Sequence, residues 1–244
     1  MIVWIGLDDT DNLDSRGTGY IARSLANHIL DPGWGKCIGI TRHQLLVDPA
    51  IPYTSHNSSL CIQWETEMEI IEQLIERSSR FLCDYSAEGS DPGLCIVLED
   101  QINRTLQEFG QNAKTKVLSK HSAISLANQY HFHLSEHGGT GGGVIGALAA
   151  VGLASGGNDG RYVWLQGIRE MEGIFSHQEI LQKSGVKTIQ SLQGKAIPTE
   201  DLIEIGDWFR PVLLNHQPTL LVESSHHPVA RWKILDRETI KAHY

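Results

Sequence analysis

The run His137-Gly-Gly-Thr-Gly-Gly-Gly143 passes without a break into the apolar segment Val144–Ala154, and no other feature constrains the chain as strongly. The glycines demand a loop, and the segment after them reads as a helix with no charged face. At eleven residues that segment falls well short of the ~18 a membrane span needs, so it belongs in a protein core. Gly138, Gly139, Thr140, Gly141, Gly142 and Gly143 carry no bulky side chain, so backbone amides can close on an anion, helped by the partial positive charge of a helix N-terminus. A flexible turn before a core helix is the plainer alternative. Gly141, Gly143 and Gly146 formally satisfy G-x-G-x-x-G, but they lie far from the first strand. No acidic residue closes a second strand about 20 residues later, since Asp159 falls in a Gly-rich turn, and no Lys follows the glycines as a Walker A motif requires.

A second loop complements the first. Met1–Leu7 reads as a buried strand that ends at Asp8-Asp9-Thr10-Asp11. Three carboxylates within four residues repel one another unless a cation or solvent offsets the charge. Hard oxygen donors suit Mg²⁺, which takes one or two carboxylates and shares its remaining positions with water and phosphate oxygens. An EF-hand does not fit: with Asp9 as position 1, Leu13, Asp14 and Tyr20 fall at positions 5, 6 and 12. A solvated acidic turn is the alternative, but the end of a strand is where α/β proteins place ligands. Together the loops supply a divalent-metal site and an anion cradle, the two parts that phosphoryl transfer needs.

The rest of the 244-residue chain reads as alternating strands and helices, hence α/β or α+β with an inserted or appended subdomain. Helices are expected at 20–30, from a capping box Thr66-x-x-Glu69, at 101–109, at 121–129 and from a second capping box Ser176-x-x-Glu179. Strands are expected at 37–41, 60–64, 94–98, 114–118, 130–134, 219–222 and 230–235. Cysteines 37, 61, 83 and 95 contain no CxxC pair, which argues against a zinc ribbon or a disulfide framework and for a reducing, cytoplasmic setting. A net charge of −9 argues against a broad nucleic-acid footprint. Arg16, Arg42, Lys114, Lys116 and Lys120 are available to neutralise phosphate charge, with Arg16 preferred for its place beside the acidic loop. Asn57 could contact a nucleotide or serve a turn. His131, His133 and His137 could ligate a metal or simply pack, and Trp208, Phe209 and Trp232 could stack a base or fill a core.

Val3-Trp-Ile-Gly-Leu-Asp-Asp-Thr-Asp11 followed by Gly17-Thr18-Gly19-Tyr20 resembles the opening of the archaeal tRNA-isoleucine agmatinylcytidine synthetase family. Pro49-Ala-Ile-Pro-Tyr53 with Asn57, the turn Asp91-Pro92-Gly93 and Gly143–Gly152 agree in the same order, so the resemblance covers roughly residues 1–170. It implies a kinase-like α/β core joined to a ferredoxin-like subdomain, with ATP and Mg²⁺ as cofactors. Residues 1–59 and 110–170 would be the core, 60–109 a ferredoxin-like insertion and 171–244 a C-terminal α+β segment. By resemblance Asp8, Asp9 and Asp11 would hold Mg²⁺, Thr18 would match a phosphorylated threonine, and the glycine loop would bind nucleotide phosphates. The family's Cys-Thr-Thr run is replaced by Gly17-Thr18-Gly19, and its OB-fold and zinc-ribbon domains have no counterpart in these residues. The expectation is an ATP- and Mg²⁺-dependent phosphotransferase or ligase-type enzyme acting on tRNA or a small molecule, with no membrane partner, and with RNA gripped directly or through a partner chain. Two alternatives stand beside it: a nucleotide-binding accessory protein that associates with RNA without turnover, and a Rossmann-type oxidoreductase.

Overall fold

A computed structural model describes residues 1–51 and 57–244, so Pro52 and Tyr53 of the resembling segment lie outside the described residues. The chain divides into two compact units, 1–156 and 157–244. Among the described residues no helix is long and apolar enough to cross a membrane.

The first unit runs β1 (Ile2–Asp8), α1 (Thr18–Leu30), β2 (Lys36–Gln44), β3 (Ser58–Glu65), α2 (Ile71–Tyr85), β4 (Gly93–Leu98), α3 (Arg104–Ala113), α4 (Lys120–Tyr130), β5 (His133–Glu136) and α5 (Val144–Gly156). Its strands lie in the order β5-β4-β1-β3-β2, each antiparallel to its neighbours. The first four strands and two helices thus form the split βαβ arrangement of ferredoxin-like folds. That arrangement spans residues 2–98 rather than 60–109: β3 and β4 flank β1 on either side, so the segment expected as an insertion supplies the middle of the sheet. An all-antiparallel sheet also removes the Rossmann reading, which needs parallel strands joined by crossover helices.

The apolar helix α5 crosses the sheet at β1, and nearly all its residues are buried. Gly6 makes this approach possible, because a β-carbon there would overlap the Ala147 carbonyl. On the alternate face of β1, Val3, Ile5 and Leu7 are fully buried, on the side of α1. Each such aliphatic side chain contributes about 1.5–3 kcal/mol relative to exposure, so β1 is firmly held. Its C-terminal end, Asp8, is delivered to a fixed place beside the start of α5.

Local differences from the sequence reading have identifiable causes. Thr66 does not cap a helix: its hydroxyl donates to the Trp34 carbonyl at 2.6 Å, and α2 begins only after a short 3-10 turn over Met68–Ile70. Residues 114–118 form no strand, because α3 ends in turn hydrogen bonds from Lys114 to Gln111 and from Lys116 to Asn112. His131 ends α4 in the left-handed region at φ 58°, which moves the start of β5 to His133.

The second unit contains β6 (Arg161–Trp164), β7 (Gly173–Ser176), α6 (His177–Lys183), β8 (Thr188–Ser191), β9 (Leu202–Ile205), β10 (Val212–Leu214), β11 (Gln217–Ser224), β12 (Trp232–Ile234) and α7 (Arg237–His243). Its strands follow the order β6-β10-β11-β12-β9-β7, with β8 parallel to β11. Val212, Leu221, Leu235 and Ile240 form a core against which Trp208 packs, and Phe209 is buried. Trp232 spends its indole N–H on Asp201 at 2.7 Å. The aromatic residues here therefore serve packing. The capping box Ser176–Glu179 is formed as expected, with Ser176 Oγ accepting from Glu179 N at 3.2 Å. This unit begins at Gly157 instead of near residue 171, because β6 pairs with β10.

Candidate functional site

The two loops singled out by sequence meet at the C-terminal end of β1. Asp8, Asp9, Asn57, Asp91, Lys116, Thr140, Gly142, Gly143 and Gly146 line one cleft of about 640 Å³, counted out to open solvent. Leu45, Ile51, Ala113, Leu118 and Ile145 give it an apolar wall.

Asp8 sits where burial and charge both oppose ionisation. Burial, followed by the charges of Asp9 and Asp11, raises its pKa to about 7, against a smaller lowering by Arg42. The carboxylate lies directly against Gly146 in the first turn of α5, where any β-carbon would overlap it. Gly146 is therefore a site residue, and the weak G-x-G-x-x-G match had picked it out for the wrong reason. Asp9 adopts φ 51°, a left-handed conformation tolerated by Asp, and its pKa rises to about 6 through burial, Asp91 and Asp11. The loop is tied to the α2–β4 connection by Ala87 N donating to Thr10 O at 3.0 Å and Asn12 Nδ2 donating to Glu88 O at 3.1 Å.

Asp91 organises the glycine loop. Its Oδ1 accepts from Thr140 N at 2.7 Å, its Oδ2 accepts from the Thr140 hydroxyl and from Gly142 N at 3.4 Å, and its carbonyl accepts from Gly143 N at 3.1 Å. Against the effect of burial, the Thr140 and Gly142 donors and the charge of Lys120 hold the Asp91 pKa below its ordinary value. The amides of Thr140 and Gly142, expected to cradle phosphate, are therefore engaged by a carboxylate of the chain itself. Gly139 and Gly141 make the loop possible with φ 54° and 74°. Lys120 fastens it from outside, donating to Thr140 O at 2.7 Å and to Glu136 at 2.6 Å.

Asp11 faces a second, smaller and more polar cleft of about 390 Å³ with Gly17, Thr18, Arg42 and Ser58. Thr18, the first residue of α1, is buried and donates its hydroxyl proton to Asp11 Oδ1 at 2.6 Å. Arg42 Nε donates to Ser58 Oγ at 2.8 Å, and its charge reaches Asp8. Arg16, the cation preferred from sequence, stacks over the Tyr20 ring at 4.5 Å and lines neither cleft. An exposed arginine gains more from an adjacent aromatic face than from reaching back into the loop. Asn57 lines the first cleft but spends its amide on Leu46 O at 2.6 Å, which fixes the loop after β2.

Among the described residues no three His, Cys, Asp or Glu converge as a ready metal cage. The Asp8–Asp9 pair nonetheless suits Mg²⁺, which needs only one or two carboxylates when phosphate and water supply the remainder. Two carboxylates whose pKa values are raised by burial and by neighbouring acidic groups are the donor set that a divalent cation would relieve, and the buried Thr10 hydroxyl beside them finds no partner among the described residues. His133 and His137 share Ser135 Oγ at 2.9 and 2.8 Å, and His131 stands apart as a helix cap. The histidines thus hydrogen-bond rather than form the metal site considered from sequence.

No protein-family model matches the chain. It is 30% identical over 156 residues to the tRNA(Ile2) 2-agmatinylcytidine synthetase TiaS of Archaeoglobus fulgidus, covering 62% of this chain and 36% of that protein. It is 26% identical over 163 residues to TiaS of Pyrococcus horikoshii, with the same coverage. The crystal structure of a TiaS–tRNA(Ile2)–ATP complex matches with a TM-score of 0.55 at 30% identity, again over 62% of this chain and 36% of that one. The resemblance seen in the motifs is therefore a similarity of sequence and of fold, and the chain spans about a third of the length of the curated relatives it matches.

Proposed function

We propose that the first unit is an ATP- and Mg²⁺-dependent phosphoryl-transfer module that works on, or in company with, a tRNA. The observation that carries the proposal is the meeting of Asp8 and Asp9 with the Gly138–Gly143 loop and the start of α5 in one cleft. The similarity to TiaS, solved in complex with tRNA(Ile2) and ATP, supports nucleotide and tRNA as ligand classes.

Asp8 and Asp9 would hold Mg²⁺, whose chemistry is to neutralise charge on phosphate oxygens. The glycine loop and the first turn of α5 would receive the phosphates, which requires Asp91 to yield the Thr140 and Gly142 amides. Lys116 on the rim supplies a further positive charge. Thr18 would be the acceptor: its Oγ bonds to the γ-phosphorus as the bond to the leaving ADP oxygen breaks, and its proton passes to Asp11, already in place at 2.6 Å. In this reading Asp11 positions and deprotonates Thr18 and leaves the metal to Asp8 and Asp9. Arg42, which lines the Thr18 cleft and whose charge acts on Asp8, would balance developing negative charge, whereas Arg16 lines neither cleft.

One observation favours a second reading. Asp91 already satisfies the loop amides, so the same site could bind nucleotide without turnover, as an accessory protein associated with RNA would. Steady-state ADP release with and without Mg²⁺ and a tRNA transcript separates the two. Mg²⁺-dependent turnover that is lost in a folded Asp9→Asn protein supports the enzyme. ATP binding with no ADP under any condition supports the accessory protein.

A further inference from the structure

Away from the acidic loop, α2 and β5 bring a thiol and two imidazoles into one hydrogen-bonded row. Side chains at alternate positions of a strand share a face, so His133, Ser135 and His137 line up along β5 and its continuation. Ser135 Oγ lies 2.9 Å from His133 Nε2 and 2.8 Å from His137 Nε2. The other ring nitrogen of His137, Nδ1, lies 3.6 Å from the Sγ of Cys83, in the last turn of α2. His137 is pinned by its backbone N–H, which donates to Pro92 O at 2.8 Å.

The protons of this row fall in one order. The Ser135 hydroxyl has a single proton for two ring nitrogens, so one ring donates to Ser135 and the other accepts from it. An imidazole nitrogen is a strong acceptor and sulfur a weak one, so the Cys83 thiol donates to His137 Nδ1. His137 then carries its proton on Nε2 and gives that hydrogen bond to Ser135, whose hydroxyl donates to His133 Nε2. Burial holds the His137 pKa below its ordinary value, and burial together with His137 does the same for His133. His137 is therefore a neutral base, oriented by Ser135 and aimed at a sulfur, the relation that activates a nucleophile.

The four cysteines differ in access. Cys61 and Cys95 are buried in β3 and β4, where burial raises both thiols well above the ordinary range, and burial pushes Cys37 in β2 up to about 12. Cys83 alone is exposed. Its place at the C-terminal end of α2 opposes negative charge on the sulfur, which leaves His137 to supply the reactivity.

We propose that Cys83 is a modification site for exchange with a low-molecular-weight disulfide of the glutathione type, with His137 as its general base. The thiol proton moves to His137 Nδ1 as the Cys83 sulfur bonds to one sulfur of the disulfide. The S–S bond breaks, and the departing thiolate takes the proton from His137. Cys83 is oxidised to a mixed disulfide and the departing sulfur is reduced to a free thiol, so no further electron carrier enters. Burial shields Cys61 and Cys95 from resolving the adduct, and β2, which carries Cys37, stands four strands from β5, about 19 Å away. The adduct therefore persists until an added thiol reverses it.

The test needs neither ATP nor Mg²⁺, so it is independent of the phosphoryl-transfer proposal. The reduced full chain is mixed with oxidised glutathione at neutral pH, adduct formation is timed by intact mass, and the modified residue is located by peptide mass. The wild type should take up one adduct, on Cys83, that dithiothreitol removes, and Cys83→Ser should take up none. An ordinary thiol is only about 3% thiolate at pH 7, so a base can speed exchange by at most about thirtyfold. His137→Asn should accordingly react roughly tenfold more slowly, and imidazole added to His137→Ala should restore part of the rate. A reading that needs no variant comes from the imidazole ¹⁵N shifts of the wild type, which should show His137 protonated on Nε2 and not on Nδ1. A folded wild type that takes up no adduct, or takes it up first at another cysteine, would overturn the proposal. So would a His137→Asn protein as fast as wild type, a His137→Ala protein that imidazole does not accelerate, or His137 protonated on Nδ1.

Discussion

Replacing Asp8 by Asn should stabilise the metal-free protein at alkaline pH and abolish its stabilisation by Mg²⁺. Asp8 is enclosed between the end of β1 and Gly146, and its pKa rises from 3.8 to about 7. An acid whose folded pKa lies above its unfolded value takes up protons on folding. Below about pH 4 it is protonated in both states and has no effect; between about pH 4 and 7 the unfolded form is ionised while the folded form stays protonated, so stability is lost across that window and the loss is complete above about 7. At pH 8 the full rise corresponds to about 4 kcal/mol, and since Asp9 shares in the repulsion about 2 kcal/mol is the lower end for Asp8 alone. At roughly 2–4 °C per kcal/mol, Asp8→Asn should melt some 4–15 °C above wild type in EDTA at pH 8, and at the same temperature near pH 4. Differential scanning calorimetry at the two pH values measures this directly. In saturating Mg²⁺ at pH 8 the wild type should regain stability while the variant does not respond. An Asp8→Asn protein less stable than wild type at pH 8, or a difference that does not change with pH, would refute the reasoning.

Other expectations follow from the same geometry. Gly146→Ala places a methyl group on the Asp8 carboxylate, so it should cost about 1–3 kcal/mol in denaturant unfolding and lower ATP affinity at least tenfold. Asp91→Ala removes the acceptor of Thr140 and Gly142, and hydrogen exchange should show amides 138–143 deprotected by about 1–3 kcal/mol, with the rest of the sheet unchanged. Arg42→Ala should reduce phosphoryl transfer by two orders of magnitude or more, whereas Arg16→Ala should leave it within about twofold of wild type.

The elements that position the site were legible because their residues obey strong local rules. The β-rich opening, the stop at Asp8-Asp9 and the apolar run after the glycines correspond to β1, the acidic loop and α5. Asp91 was visible only as the first residue of a turn, since its partners Thr140 and Gly142 lie about fifty residues away. What brings them together is the pairing of Gly93 with Glu136 between β4 and β5, a non-local contact without a signature in either segment. Gly146 stood out only through a formal glycine motif, and its actual meaning depended on how α5 crosses β1. In the second unit, β10 and β11 meet in a two-residue hairpin in which Asn215 and His216 both take positive φ, 49° and 59°. The usual Asn-Gly signal is absent there, and strands of three or four residues such as β7 and β9 are too short for alternation to mark. The ferredoxin-like arrangement was assigned to too small a segment because strand order, not strand presence, defines it.

The central claim is that Asp8 and Asp9 serve phosphoryl transfer to Thr18, and one measurement tests it most directly. The protein is incubated with γ-³²P-labelled ATP, with and without Mg²⁺, and the labelled peptide is identified by mass spectrometry for wild type, Thr18→Ala, Asp11→Asn and Asp9→Asn. The account predicts Mg²⁺-dependent label on Thr18, absent in Thr18→Ala and Asp9→Asn and strongly reduced in Asp11→Asn. Label at another residue, or label on Thr18 that persists in a folded Asp9→Asn protein, would contradict it.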